Sequence, residues 1–257
     1  MNKLYQTDAI ILRRKNIGEA DRIFDVYTPN LGRLRLKAKG VRRIKSKLAG
    51  HLEMMAVIEL GIATGRQLDV ITSARNKKIF ADLSANLQKT SLAFFICELV
   101  FYLTEEGHRD TRLYRLLEFS FSILNDSPAG ERRYWRLFLD NVELQMLSLL
   151  GFRPEVAKCA RCGQALSLLK NKFSSAQGGI ICEKCTVPGA IPVTPEVIKL
   201  FRLLLDRQIR PGQWANLPQA AVTTLHRVLR DFIAYTLERQ MKTERFLELV
   251  ERQEKIV

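Results

Sequence analysis

Residues 33–40 read Arg33-Leu34-Arg35-Leu36-Lys37-Ala38-Lys39-Gly40. Bases take every second position and apolar residues fill the gaps. A period of two belongs to a β-strand, whose successive side chains point to opposite faces. The segment is therefore expected to bury Leu34, Leu36 and Ala38 in a core while Arg33, Arg35, Lys37 and Lys39 form a cationic stripe outside. Gly40 breaks the run, and Val41-Arg42-Arg43-Ile44-Lys45-Ser46-Lys47 carries the positive surface into a loop or short helix. Working outward, residues 8–13, 22–28, 31–39, 54–60 and 68–73 read as five short strands, separated by Gly18-Glu19, Pro29-Asn30 and glycine-bounded stretches at 40–50 and 61–65. Five strands in so short a segment suggest a small barrel. On spacing alone, an OB-fold and an SH3-like barrel fit about equally.

Charge singles out the same region. The 257-residue chain holds 41 Lys plus Arg against 27 Asp plus Glu, a formal charge of +14. Residues 1–80 carry 17 bases and 7 acids, so +10 of that excess lies there. Arg33, Arg35, Lys37, Lys39, Arg42, Arg43, Lys45 and Lys47 form a run of eight bases without an intervening acid. Such a block repels itself unless an anion offsets it, which points to a polyanionic partner. With 47% hydrophobic and 26% charged residues the composition is that of a globular chain, not a disordered one. The N-terminus lacks the apolar stretch of a secretory signal, and the longest apolar segment, residues 92–103, contains Glu98 and is too short to span a bilayer. A cytoplasmic protein is expected.

From about Phe80 the period becomes helical. Leu83, Leu87, Phe94, Phe95, Leu99 and Leu103 predict one long amphipathic helix ending near Gly107. Leu113, Leu116, Leu117, Phe121 and Leu124 predict a second, and Trp135, Phe138, Leu139, Val142, Met146 and Leu150 a third, with Gly151 as its C-cap. Residues 195–205, with Thr194 as N-cap and Pro195 in the first turn, and residues 218–239 complete an α-helical bundle. The expected partition is a nucleic-acid-binding barrel at 1–79, a first helical part at 80–154, a cysteine module at 155–192 and a second helical part at 193–257. The fold class is thus α+β and multidomain.

The module is defined by Cys159-Ala160-Arg161-Cys162-Gly163 and Cys182-Glu183-Lys184-Cys185, 19 residues apart. Each C-x-x-C turn places two thiolates on one side of a tight knuckle, and two knuckles close a tetrahedron of soft ligands around Zn²⁺. A closed sphere leaves no position for water, so Cys159, Cys162, Cys182 and Cys185 are expected to hold one structural zinc. This pattern favours a reducing compartment over extracellular disulfides. The fifth cysteine, Cys97, sits among Phe94, Phe95, Ile96, Leu99 and Val100 and reads as a small buried apolar residue.

Signatures of catalysis are missing from the sequence. There is no G-x-x-x-x-G-K-[ST] run for nucleotide phosphates. His51, His108 and His226 are far apart and read as structural or surface residues, and the acid pairs Asp21 with Asp25 and Glu105 with Glu106 read as solvated or ion-paired. The chemistry reads as binding, not as an enzyme's.

Taken together, residues along the whole chain resemble one family. Ala9-Ile10-Ile11-Leu12, Gly18-Glu19-x-Asp21-Arg22-Ile23, Thr28, Gly32 and Ala38-Lys39-Gly40-x-Arg42-Arg43 with Ser46 look like the N-terminal pattern of the bacterial RecO recombination mediators. Leu147, Leu150-Gly151-Phe152-x-Pro154, the first cysteine knuckle, Gly178-Gly179 and the second knuckle resemble the same family's cysteine region. The resemblance implies an N-terminal OB-fold, an α-helical domain and an inserted zinc module. It also implies binding of single- and double-stranded DNA, annealing of complementary strands, and engagement of the acidic C-terminal tail of single-stranded-DNA-binding protein. A RecR-type partner would join in loading a RecA-type recombinase, in the cytoplasm at the nucleoid. Members without the cysteines exist in the family, whereas this chain keeps all four.

Two points rest on the residues themselves. The first 79 residues hold three aromatics: Phe24, expected in the core, and Tyr27 and Tyr5, left as candidates for base stacking. Binding should then rest on phosphates and be nearly sequence-blind, with a log–log salt slope near −5 to −6 on single strands if about eight phosphates are contacted. For an acidic tail, Arg132, Arg133 and Arg136 beside Tyr134 and Trp135 offer cations next to apolar surface. The alternative is a zinc-ribbon transcription or RNA-binding factor, and a second is a metal-dependent nuclease. The modest charge of residues 159–185, four bases and one acid, argues against the first.

Overall fold

The first strand is long because it serves two neighbours. In the computed structural model, β1 (Leu4–Ile17) pairs antiparallel with β4 (Ala56–Ala63) through residues 4–10 and with β2 (Asp21–Thr28) through residues 10–17. A register shift between Ile11 and Arg13 marks the bulge at which the strand turns from one partner to the other. β3 (Gly32–Ala38) lies antiparallel to β2, and β5 (Asp69–Ile79) lies antiparallel to β4 and makes a short parallel contact with β3. The order β1-β2-β3-β5-β4 closes into a barrel, the OB arrangement. Closure rests on a short contact, Leu36 with Asp69 and Lys37 with Val70. Residues 3–128, 132–167, 170–206 and 217–253 are described; the side chains of 132, 133, 248 and 251–253 are not.

The interior follows from the two-residue period. Ala9, Ile11, Phe24, Val26, Leu36, Ala38, Ile58, Leu60, Ile62 and Ile71 fill it, joined by Val41 and Leu52 from the connection after β3. Ile10 and Leu12 are buried as well, on the opposite face of β1, because α2 (Leu87–Leu103) packs there. Gly32 shows how tightly the turn after β2 is seated. Its φ is +71° and a Cβ on it would lie 2.1 Å from the His108 carbonyl oxygen, so a side chain is excluded twice over.

Two compact units are formed by residues 1–126 with 242–257 and by residues 127–241. In the first, the barrel is joined by α1 (Ala81–Ala85), α2, α3 (Thr111–Asp126) and α7 (Lys242–Gln253). The single amphipathic helix expected from residue 80 is in fact two helices. Asn86 takes an extended conformation and caps α2, its side-chain oxygen accepting from the Lys89 N–H at 3.0 Å. Nor is α2 amphipathic: Ser91, Leu92, Ala93, Phe95, Ile96, Cys97, Leu99 and Val100 are all buried, since β1, α1, α3 and α7 surround it. Cys97 is buried as expected. Glu98, the polar residue of that apolar run, receives the N-terminus of α7 by accepting from the Lys242 and Thr243 N–H groups at 3.2 and 2.8 Å. β5 runs on to Ile79, past the expected Ser73, because its polar second half is held by backbone pairing to β4 and needs no apolar face.

In the second unit, α4 (Arg132–Leu149), α5 (Pro195–Asp206) and α6 (Gln219–Leu237) pack through Trp135, Phe138, Val142, Phe201, Leu204, Leu225 and Leu229. α4 ends as Gly151 predicts, with φ +86° and the Phe152 N–H returning to the Leu147 carbonyl at 2.7 Å. Between α4 and α5 lies a small sheet of β6 (Asn171–Ser174), β7 (Gly179–Ile181) and β8 (Ile191–Val193) in the order β7-β6-β8. Its Phe173 stacks on Phe201 and meets Phe232 edge-on, each at 5.5 Å between ring centres.

Candidate nucleic-acid interface and four-cysteine centre

Alternation holds on β3: Leu36 and Ala38 point inward while Arg33, Arg35, Lys37 and Lys39 point out or to the margin. The row is less free than its sequence implies, because antiparallel pairing brings β2 acids beside it. Asp25 pairs with Arg35 across the strands, and its buried carboxylate lies 2.9 Å from Arg13 on β1 and 3.5 Å from Arg35. Asp21 lies 2.8 Å from Lys37 and accepts from the Gly40 N–H at 2.8 Å. The Lys37 contact foremost, then the Gly40 N–H, holds the Asp21 carboxyl below the usual range. Arg33 turns back toward the helices, its guanidinium carbon 4.5 Å from the centre of the Phe101 ring, which Arg13 also faces at 3.9 Å. Burial pulls the Arg33 guanidinium below its ordinary pKa. So Arg33, Arg35 and Lys37 each have a partner within the protein, although the Arg35 side chain stays exposed.

The remaining five cations of the run, Lys39, Arg42, Arg43, Lys45 and Lys47, are exposed and make no ion pair among the described residues. Their loop is anchored. Val41 is buried in the barrel, the Arg42 N–H reaches the Ala20 carbonyl at 2.9 Å, and the Arg42 guanidinium reaches the Gly18 carbonyl at 3.2 Å. Turn bonds from Arg43 to Gly40 and from Ser46 to Arg43 shape its tip. The result is a dense cationic projection at the end of β3.

The aromatic expectations divide. Phe24 is in the core as expected. Tyr27 is not available for stacking: it is wholly buried, with its hydroxyl donating to the His108 carbonyl at 3.2 Å. The alternation places it on the outer face of β2, but the segment entering α3 covers that position. Tyr5 is half-buried and donates to Asp69 at 2.6 Å; burial, followed by Asp69, raises its pKa far above the ordinary value.

In the second unit the four sulfurs of Cys159, Cys162, Cys182 and Cys185 lie within 4.8 Å of one another. The Cys159–Cys185 and Cys162–Cys182 sulfur separations are both 3.8 Å. A tetrahedron with Zn–S bonds of about 2.3 Å has edges of about 3.8 Å, so the donor set fits a tetrahedral metal. The local fold supports the charge that such ligands need. Burial opposes the Cys159 thiolate, but N–H groups of Cys182, Cys162 and Arg161 prevail and bring that thiol down to about 6. Burial and the neighbouring sulfurs push Cys185 up to about 12, a resistance to further charge that a dication reverses. Gly163, at φ +74°, completes the first knuckle with its N–H on the Cys159 carbonyl at 2.9 Å. The cluster can hold a metal ion. Among the described residues, Cys159, Ile181 and Cys182 form the buried cluster around the knuckles, with Ala160, Leu166, Cys185, Val187 and Ala190 partly buried against it.

Arg132 and Arg133 open α4, but their side chains lie outside the described residues; Arg136 is partly exposed on the same helix. Trp135, expected beside them, is buried at 1% exposure and packs on Tyr134 and Phe138. His226 is a structural residue with Nδ1 2.8 Å from the buried Asp140. Asp21 and Asp25, expected to be solvated or ion-paired, are ion-paired; which cations they neutralise follows from strand register, which the sequence does not reveal. No helix among the described residues is long and apolar enough to cross a membrane.

Two family models match the chain. One described as "Recombination protein O N terminal" covers residues 1–80, and one described as "Recombination protein O C terminal" covers residues 84–245. Among curated relatives, "DNA repair protein RecO" of Dehalococcoides mccartyi is 32% identical over 249 residues, 96% of both chains. The protein of the same name from a Roseiflexus species is 33% identical across 96% of this chain and 86% of its own. That from a Nocardioides species is 33% identical across 95% and 99%.

Proposed function

The chain belongs to the RecO family of DNA repair proteins, and from that premise we propose that it binds single- and double-stranded DNA through the barrel and anneals complementary strands. The observation that carries this reading is the anchored loop of exposed cations at the end of β3, with no acid in ion-pairing contact among the described residues. Phosphate contacts from Lys39, Arg42, Arg43, Lys45 and Lys47 dominate, and Arg35 and Lys37 add to them where phosphate displaces Asp25 and Asp21. Partial neutralisation of both strands lowers their repulsion and leaves the base edges free to pair. The protein acts by binding and does no bond chemistry of its own.

In this reading residues 1–79 are the nucleic-acid-binding domain, and the helical parts at 80–154 and 193–257 flank the module at 155–192. The four cysteines hold one structural Zn²⁺, because soft thiolates in a closed tetrahedron favour that ion and leave no open position. Arg132, Arg133 and Arg136 receive the acidic tail of single-stranded-DNA-binding protein. A RecR-type partner and, through it, a RecA-type recombinase complete the assembly on protein-coated strands at the nucleoid.

The test is annealing of complementary strands coated with single-stranded-DNA-binding protein, without ATP, with the product checked for integrity. Arg42→Glu together with Arg43→Glu should lower binding and annealing together. Equal annealing by that variant at matched concentration refutes the reading, and degradation of the DNA with Mg²⁺ or Mn²⁺ makes the protein a nuclease instead. Loss of sequence-specific binding on Cys159→Ser, with the barrel still folded, favours a zinc-ribbon nucleic-acid reader.

A further inference from the structure

Ile44 is the most exposed large apolar side chain among the described residues, at 105%. A lone exposed aliphatic residue is ordinary on a protein surface. Its setting is not ordinary. Arg42 and Arg43 precede it, Lys45 and Lys47 follow, and all four are exposed. The turn that presents it is held from both sides: Val41 before it is buried in the barrel, and Leu48 and Leu52 after it pack against the same core. Hydrogen bonds from Arg42 to Ala20 and from Ser46 to Arg43 fix the backbone between these anchors. An apolar tip is thus pushed outward, ringed by cations, on a support that does not let it fold back.

We propose that Ile44 is a wedge that inserts between adjacent bases of DNA bound by this loop. The inference rests on the DNA-binding reading and adds a contact to bases where that reading has contacts to phosphates alone. The occupant follows from complementarity: a surface with anions outside and flat apolar faces within reach is a nucleic acid, whose base steps admit aliphatic wedges. An anionic membrane offers the same two chemistries, but stable interfacial binding takes a broad apolar face, and here a single side chain protrudes. Inserted at a step, Ile44 unstacks the neighbouring bases while Arg42, Arg43, Lys45 and Lys47 hold the phosphates on either side. Bases splayed in this way present their pairing edges to a second strand, so the wedge would assist annealing directly. It also predicts a preference for weakly stacked steps that phosphate contacts do not give.

The test uses the full chain with oligonucleotides, single-stranded and duplex, carrying 2-aminopurine, whose fluorescence rises when it is unstacked. Wild type and Ile44→Leu should raise the fluorescence at saturation. Ile44→Ala should lose most of the rise and bind roughly three- to tenfold more weakly, from the lost apolar contact, with the same salt slope because the phosphate contacts remain. The side chain touches little in the free protein, so these variants keep the fold. A full fluorescence rise with Ile44→Ala overturns the wedge and leaves the phosphate reading standing. Wild-type binding that ignores salt overturns both. Ile44-dependent binding to phosphatidylserine vesicles, without an Ile44-dependent signal on DNA, assigns the tip to membranes and also overturns the proposal.

Discussion

Replacing Arg42 and Arg43 by alanine should flatten the salt dependence of DNA binding by a calculable amount. Each phosphate neutralised on a single strand contributes about −0.7 to the slope of log affinity against log salt. The sequence run of eight bases gives about −5.6 on that rule. The structure removes three: Arg35 and Lys37 face Asp25 and Asp21, and Arg33 packs on Phe101. Lys39, Arg42, Arg43, Lys45 and Lys47 remain, for a slope of about −3.5, and the double alanine variant keeps three of them, for about −2.1. Between 50 and 200 mM salt, the wild-type affinity should then fall by roughly 100-fold and the variant's by roughly 20-fold. Fluorescence anisotropy of a labelled oligonucleotide across several salt concentrations measures both slopes. A variant slope equal to that of wild type refutes the placement of the interface on this loop. A wild-type slope near about −4.9 instead shows phosphate winning Arg35 and Lys37 from their carboxylates. Asp25→Asn separates the cases further: by releasing Arg35 it should steepen the slope by about 0.7.

Cys159→Ser should abolish stoichiometric zinc on metal analysis and open residues 127–241 to protease while the barrel stays protected; retention of a full equivalent of metal would falsify the four-sulfur site. Phe173→Ala, which removes the ring held between Phe201 and Phe232, should cost about 3–5 kcal/mol in urea unfolding, and a loss below about 1 kcal/mol would show that the sheet is not anchored there. Asp110 caps α3, accepting from the Arg112 and Leu113 N–H groups, so Asp110→Ala should cost about 1 kcal/mol. Its carboxyl is held below the usual range, first by the Arg112 side chain, against the opposing effect of burial. A lowered folded pKa gives stability that is present above the unfolded value of about 3.9 and is lost as pH falls through the folded one. The gap between wild type and variant should therefore be constant from pH 5 to 8 and shrink in acid; a gap that grows in acid contradicts the pairing.

Much of this architecture was legible because it depends on short-range patterns. The two-residue alternation of 33–39 sets which side of β3 is buried wherever the strand lies, and each C-x-x-C knuckle sets two thiolates side by side through a local turn. Both helix limits carry a local cap: that at Gly151 was legible, whereas the N-cap at Asn86 was missed because the helical spacing from Leu83 to Leu87 runs across it. Tyr27 shows the same limit: its position on the strand is readable, but its cover comes from residues more than 80 positions away.

By itself, then, the sequence determined a basic five-stranded barrel, a helical remainder and a four-cysteine centre, since periodicity, charge and ligand spacing are properties of neighbouring residues. Only the tertiary structure decided the barrel's closure through β3 and β5 and the packing of α2 among β1, α1, α3 and α7. It alone decided, too, which of the eight cations have a carboxylate or aromatic partner among the described residues. Register across β1, β2 and β3 sets Asp25 between Arg13 and Arg35, and no pattern within one strand contains the identity of its neighbour.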